Sequence, residues 1–185
     1  PEDFAYIINH CGATAVCVQP DHIEAIDAIR GQIPAVEVFV ALEGSGDRWL
    51  DYEQTLASHG PEYEPVEISE SDLITINYTS GTTARPKGVM ITHHNLLIGA
   101  MTFLTDVNDV EASDSIFHAA PLSHGSGFYD LPYVMRGANQ VIPNSGRFVP
   151  SEVCELLESW QGVSMFLAPT MVKRLAELYQ SEKFT

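Results

Sequence analysis

Short apolar runs alternate along this chain with stretches whose apolar residues recur every three or four positions, and no other feature limits its fold as much. The runs at 13–18, 36–42, 73–78, 116–120, 140–142 and 163–167 read as strands. Between them, a helix entered at Pro1-Glu2-Asp3 ends at Gly12; Ile23, Ile26 and Ile29 mark a second helix, and residues 52–58 a short third. Residues 94–105, a segment opening at Gly125 and Gly127 and closing near Gly137, and a helix opened by Pro169 continue the pattern. Ser151 is placed to cap a helix whose Val153, Leu156, Leu157 and Trp160 share an apolar face. Parallel neighbours need a crossover, usually a helix, so this order predicts an α/β fold of layered, mainly parallel sheets with flanking helices. The 185 residues, 45% of them hydrophobic, suffice for one domain or two small ones. A connector near residues 59–72 divides an acidic segment, 1–72, from a segment 73–185 whose first strand, 73–78, reads as buried.

Lys and Arg total 9 against 25 Asp and Glu, a formal net charge of −16. Gripping nucleic acid or an anionic membrane needs clustered cations, so neither is an expected partner. The imbalance is local: residues 1–72 carry a net −13, residues 73–110 are neutral and residues 111–185 carry −3. The acidic stretch reads as a solvated face. No stretch approaches the roughly 18 consecutive apolar residues of a membrane span, so no transmembrane segment is expected. Cys11, Cys17 and Cys154 are few, odd in number and spread apart. They read as small buried hydrophobes of a reducing compartment, the cytoplasm, and not as a disulfide framework. The chain opens at Pro1 with no initiator Met or signal peptide and stops just after a helix, which reads as a piece of something longer. Apolar surface at such an edge can pair two chains into a homodimer.

Chemistry concentrates in one string, Tyr78-Thr79-Ser80-Gly81-Thr82-Thr83-Ala84-Arg85-Pro86-Lys87-Gly88-Val89, between a strand and a helix. Hydroxyls and bare backbone N–H groups are the donors that polyphosphate oxygens need, and Gly81 lets the backbone approach closely. Lys87 can bring a mobile point charge to a phosphate. The ATPase G-x-x-x-x-G-K-[ST] loop is excluded: counted from Gly81, Pro86 stands where the second Gly belongs and Gly88 where the metal-binding hydroxyl belongs. A dinucleotide G-x-G-x-x-G is also absent. His93 and His94 are adjacent at a helix start, and His118 and His124 have no Cys or carboxylate at metal spacing, so no metal site is assigned. Without a G-x-S-x-G elbow a Ser–His hydrolase is not expected.

Residues 79–88 resemble the signature phosphate loop of the AMP-forming adenylating superfamily, usually Thr-Ser-Gly-Thr-Thr-Gly-x-Pro-Lys-Gly, with Ala84 replacing one Gly. Pro121-Leu122-Ser123-His124-Gly125-Ser126-Gly127 resembles the next motif of that family, where a His or aromatic residue borders the acyl and nucleotide pockets. The flanking segments agree with the resemblance, and residues 131–143 and 166–175 look closest to fatty-acyl-CoA synthetases.

The resemblance implies a two-step reaction. A carboxylic acid attacks the α-phosphate of ATP to give an acyl-adenylate and pyrophosphate, with Mg²⁺ neutralising charge, and coenzyme A then displaces AMP. It implies that Thr79, Ser80, Gly81, Thr82, Thr83 and Lys87 bind the nucleotide phosphates, and that His124, Gly125 and Phe128 border the acid. Phe128, Tyr129 and Tyr133 can equally line an acyl pocket or fill a core. The family's Mg²⁺-holding Glu segment, its ribose-binding segment and its swinging C-terminal domain with the catalytic Lys have no counterpart in residues 1–185. No catalytic residue is therefore assigned, and the chain reads as part of the large N-terminal domain of a longer ligase, inactive alone. Two other readings stay open: a non-catalytic nucleotide- or partner-binding module, and an amino-acid or aryl-acid adenylating domain of the same superfamily.

Overall fold

Among the described residues, four strand pairs run parallel, as the alternation of strands and helices requires. The computed structural model describes residues 2–44, 46–79 and 85–182. They fall into two compact units, Pro1–Ile91 and Thr92–Thr185.

In the first unit, α1 (Glu2–His10) has Glu2 and Asp3 in its first turn, where carboxylates favour the positive end of the helix dipole. It stops because Gly12 takes a left-handed φ of +69°. Gly12 N–H then reaches the Asn9 carbonyl at 3.2 Å, and Ala13 N–H that of Ile8 at 3.1 Å. β1 (Ala15–Val18), α2 (Pro20–Asp27), β2 (Val38–Ala41), β3 (Leu50–Asp51) and α3 (Tyr52–Ser58) follow. The sheet runs β1-β2-β3, with Ala15 opposite Val38 and Val40 opposite Leu50. Ala5, Ile26, Ile29, Ile33, Val36, Ala41 and Trp49 form the core beneath it. Burying each of the large aliphatics stabilises the unit by about 1.5–3 kcal/mol. Asp27 ties core to surface: its Oδ1 accepts from Arg30 Nε at 2.6 Å and from Trp49 Nε1 at 3.1 Å. The Arg30 guanidinium lies 3.7 Å from the Phe39 ring centroid.

β4 (Leu73–Thr79) and β5 (Lys87–Thr92) form a separate two-stranded sheet. β5 is absent from the sequence reading, which kept a loop through Gly88. β4 also corrects an expectation. Read as buried, it leaves Leu73 48% and Ile74 47% exposed, and Met90 on β5 is 66% exposed. An apolar run signals a strand, but burial needs an element laid over it.

The second unit comprises α4 (His93–Asp106), β6 (Ser115–Phe117), α5 (Asp130–Met135), β7 (Asn139–Val141), α6 (Pro150–Ser159), β8 (Val163–Met165) and α7 (Pro169–Glu182). β6 lies between β7 and β8, with Ile116 opposite Gln140 and Ser164. A reciprocal capping box between Thr92 and Asn95 starts α4. Ser151 does not cap α6. Pro150, with its preset φ and missing N–H, takes the first position, and Val149 precedes it without a side-chain cap. Of the face read for α6, Val153 is fully buried and Leu156 packs against the core, while Leu157 and Trp160 stay exposed. The cysteines are less buried than expected: Cys17 is exposed and Cys11 and Cys154 are half-buried. No helix among the described residues is long and apolar enough to cross a membrane.

Candidate functional site

The Gly/Thr string divides at the limits of the described structure. Thr79 closes β4 and Lys87 opens β5, and both side chains are exposed. Ser80, Gly81, Thr82 and Thr83 lie outside the described residues. Lys87 therefore belongs to a strand and not to a loop. Gly88 follows it because β4 comes too close for a side chain: a Cβ there would stand 2.7 Å from Ile76 Cγ2 and 3.2 Å from the Tyr78 ring. The Tyr78 hydroxyl meets His10 Nδ1 at 2.6 Å. Loss of water around the phenol, with Cys11 and Tyr6 adding to it, pushes the Tyr78 pKa up. At neutral pH it is a protonated hydroxyl able to donate to His10.

Residues 121–127 follow the end of β6 in the second unit. His124 is exposed, its N–H donating to the Pro121 carbonyl at 3.1 Å. It precedes a 3-10 turn, Gly125–Tyr129. Both glycines of this turn answer to space. A Cβ on Gly125 would stand 2.6 Å from the Phe166 ring, and one on Gly127 would overlap the Leu122 carbonyl oxygen. Phe128 is 43% exposed, whereas Tyr133 is fully buried with Val110 and Ile116. Of the three aromatics read either way, Tyr133 is thus core. Tyr129 stacks on Phe166, with centroids 5.4 Å apart. Both line a cavity of about 130 Å³ with Phe103, Ile116, Tyr133, Ser164 and Met165.

Sequence reasoning weighed His118 only as a metal ligand; it sits buried at the root of this segment. Its Nδ1 is 2.8 Å from Ser126 Oγ and its Nε2 is 2.6 Å from Gln140 Oε1. Gln140 Oε1 only accepts, so Nε2 carries the proton and, in the neutral ring, Nδ1 accepts from Ser126. Asp130 Oδ1 lies 3.0 Å from the same Nε2 but lacks a hydrogen-bond partner, because Gln140 holds the proton. Ser, His and Asp thus meet, but with the two ring nitrogens exchanged relative to a hydrolase triad. Ser126 is also fully buried, so no substrate reaches it, and the group is a structural hub. The sequence held little signal for it: His118 ends an apolar run, but its partners lie 8 and 22 positions away.

The family model described as AMP-binding enzyme matches residues 1–185. The chain belongs to the AMP-binding enzyme family. It is 32% identical to a long-chain-fatty-acid–CoA ligase of Thermus thermophilus, over 98% of its own length and 33% of the ligase. It is 29% identical to a feruloyl-CoA synthase of an Amycolatopsis species, over 89% of the chain and 30% of the synthase. Among solved structures it superposes on the anthranilate CoA ligase AuaEII in complex with anthranoyl-AMP with a TM-score of 0.78. That match has 26% identity and covers 92% of the chain and 34% of the ligase. The N-terminal domain of FACL13 from Mycobacterium tuberculosis, 23% identical, shares the fold with a TM-score of 0.80 over 99% of the chain and 44% of that structure. The chain spans about a third of the length of the curated relatives it matches.

Proposed function

We propose that the chain supplies the ATP-phosphate segment and an acid-side segment of a longer AMP-forming acid–CoA ligase. The acid is a fatty acid, in line with the names of several relatives. The observation that carries this reading is the string at 79–88, flanked by an exposed Thr79 and an exposed Lys87 in a chain of the AMP-binding family. A carboxylate oxygen of the acid attacks the α-phosphorus of ATP, and the α–β bridging bond breaks to release pyrophosphate. The thiol of coenzyme A then attacks the acyl carbon, losing its proton, and AMP departs. The first step is mainly positioning and charge stabilisation. Thr79, Ser80, Gly81, Thr82 and Thr83 would hold the phosphate oxygens by hydroxyl and N–H donation, and Lys87 would neutralise charge on the departing pyrophosphate. His124, Gly125 and Phe128 would border the acid.

Mg²⁺ would enter on the nucleotide's own phosphates. Among the described residues no group of three His, Cys, Asp or Glu side chains is placed to hold a metal, so no step is assigned to one. Residues 1–72 and 73–185 are then parts of one N-terminal domain, and a cytoplasmic location follows from the cysteines and the substrates. Aromatic acids named for two relatives make aryl-acid activation the second reading. Acid-dependent ATP–pyrophosphate exchange by the full-length enzyme tests the loop: Lys87→Ala should lower it about a hundredfold, and unchanged exchange would remove Lys87 from the site. A panel of fatty and aromatic acids in the same assay separates the two substrate readings.

A further inference from the structure

Helix α1 has two working faces. On one, Ala5 is buried in the first unit's core and Ile8 packs against it, while Asn9 Nδ2 donates to the Gln32 carbonyl at 2.8 Å. The other face carries Tyr6 and His10, one turn apart, with ring centroids 5.1 Å from each other. Tyr6 O–H donates to the Pro86 carbonyl at 3.2 Å, and the Arg85 guanidinium lies 5.2 Å from the Tyr6 ring centroid. His10 meets the Tyr78 hydroxyl at 2.6 Å, and the two rings stand edge to face with centroids 5.8 Å apart. Tyr78 directly precedes Thr79, and Pro86 directly precedes Lys87. One helix therefore grips the residue beside each described phosphate donor, across sequence separations of 68 and 80 residues that no local geometry enforces.

We propose that Tyr6 and His10 are positioning residues for nucleotide binding: by holding Pro86 and Tyr78 they fix where the two ends of the phosphate segment stand relative to the core. This rests on the reading of residues 79–88 as the ATP-phosphate segment. Donors aimed in advance at the phosphates lose less freedom when ATP binds, so slack at either end weakens ATP without touching the acid. Gly88 serves the same arrangement, since its missing side chain leaves room for the Tyr78 ring. α1 works through the segment's flanks and not by contact with nucleotide. The open cleft of about 610 Å³ along this face carries Glu2 and Asp3 beside Arg85, and two carboxylates disfavour a polyphosphate.

The test is the KM for ATP and the KM for the acid in pyrophosphate exchange by the full-length enzyme, with melting temperature alongside. Tyr6→Phe keeps the ring over Arg85 and removes only the hydroxyl, while His10→Ala removes the ring that bonds Tyr78. Each should raise the ATP KM about three- to tenfold, the order of one lost hydrogen bond, and leave the acid KM within twofold. His10→Asn restores an amide able to donate or accept near the Nδ1 position and should return the ATP KM to within twofold of wild type. An unchanged ATP KM in Tyr6→Phe and His10→Ala, a parallel rise in both KM values, or no rescue by Asn overturns the proposal. Tyr6→Phe decides alone if His10→Ala fails to fold. Lys87→Ala run in parallel separates the two readings. If it impairs ATP use and the α1 variants do not, the positioning role alone fails. If it has no effect, the phosphate-segment reading fails and the positioning role with it.

Discussion

The two segments assigned to the substrates are held in opposite ways. Residues 121–127 sit on a buried hub, where His118 joins Ser126 and Gln140, and Gly127 presses against the Leu122 backbone. The ends of 79–88 belong to a small sheet with exposed apolar side chains, steadied from outside by two rings of α1. A segment anchored through the buried Ser126 to a hydrogen-bonded hub is tied to the core, so losing that anchor costs stability. A segment held at its flanks can be weakened without unfolding the unit, so its loss should appear in ligand affinity.

The contrast is sharpest at Gly127. Gly127→Ala would drive a Cβ into a backbone carbonyl, which cannot swing aside, and should cost about 3 kcal/mol in chemical denaturation. A fold that absorbs it would break the claim that this segment is tied to the core. His118→Ala leaves the buried Ser126 hydroxyl without its acceptor and should cost about 2–3 kcal/mol, with the ATP KM of the full-length enzyme unmoved.

Asp27 tests the same contrast inside the first unit. The hydrogen bond from Arg30 first, opposed by desolvation and aided by Trp49, holds its carboxyl below the usual carboxylate range. The folded pKa is the lower one, so its stabilisation is present above the ordinary carboxylate pKa and is lost as pH falls through the folded value. Asp27→Asn should cost about 1 kcal/mol at pH 7, given its partly exposed side chain, and should flatten the acid side of the stability curve. An unchanged acid limb would remove Asp27 as the tie between core and surface. The smallest stability effect belongs to Tyr6→Phe, below about 0.5 kcal/mol in the same denaturation series, although it moves the ATP KM.

Much of this was legible in the sequence because it is local. Apolar periodicity marked most elements, and the hydroxyl-rich string marked the segment proposed to hold phosphate. β5 escaped because Lys87 and Gly88 read as loop, and only pairing with β4 makes them a strand. The exposure of Leu73 and Ile74 was hidden for a related reason: composition reports what prefers burial, not what covers it. Ser151 looked like a cap until Pro150 claimed the first position of α6. The His118 hub joins residues 8 and 22 positions away, and the α1 contacts span far more, so neither had a spacing to betray it. What the sequence did offer on α1 was Tyr6 and His10 four apart, on the face away from Ala5 and Ile8.

The most direct measurement is the fate of ATP in the full-length enzyme given a fatty acid, Mg²⁺ and coenzyme A. The account predicts one AMP and one pyrophosphate for each acyl-CoA formed, and acid-dependent exchange of labelled pyrophosphate into ATP when coenzyme A is withheld. ADP and inorganic phosphate as the products, or no acid-dependent exchange with any acid of the panel, would contradict it.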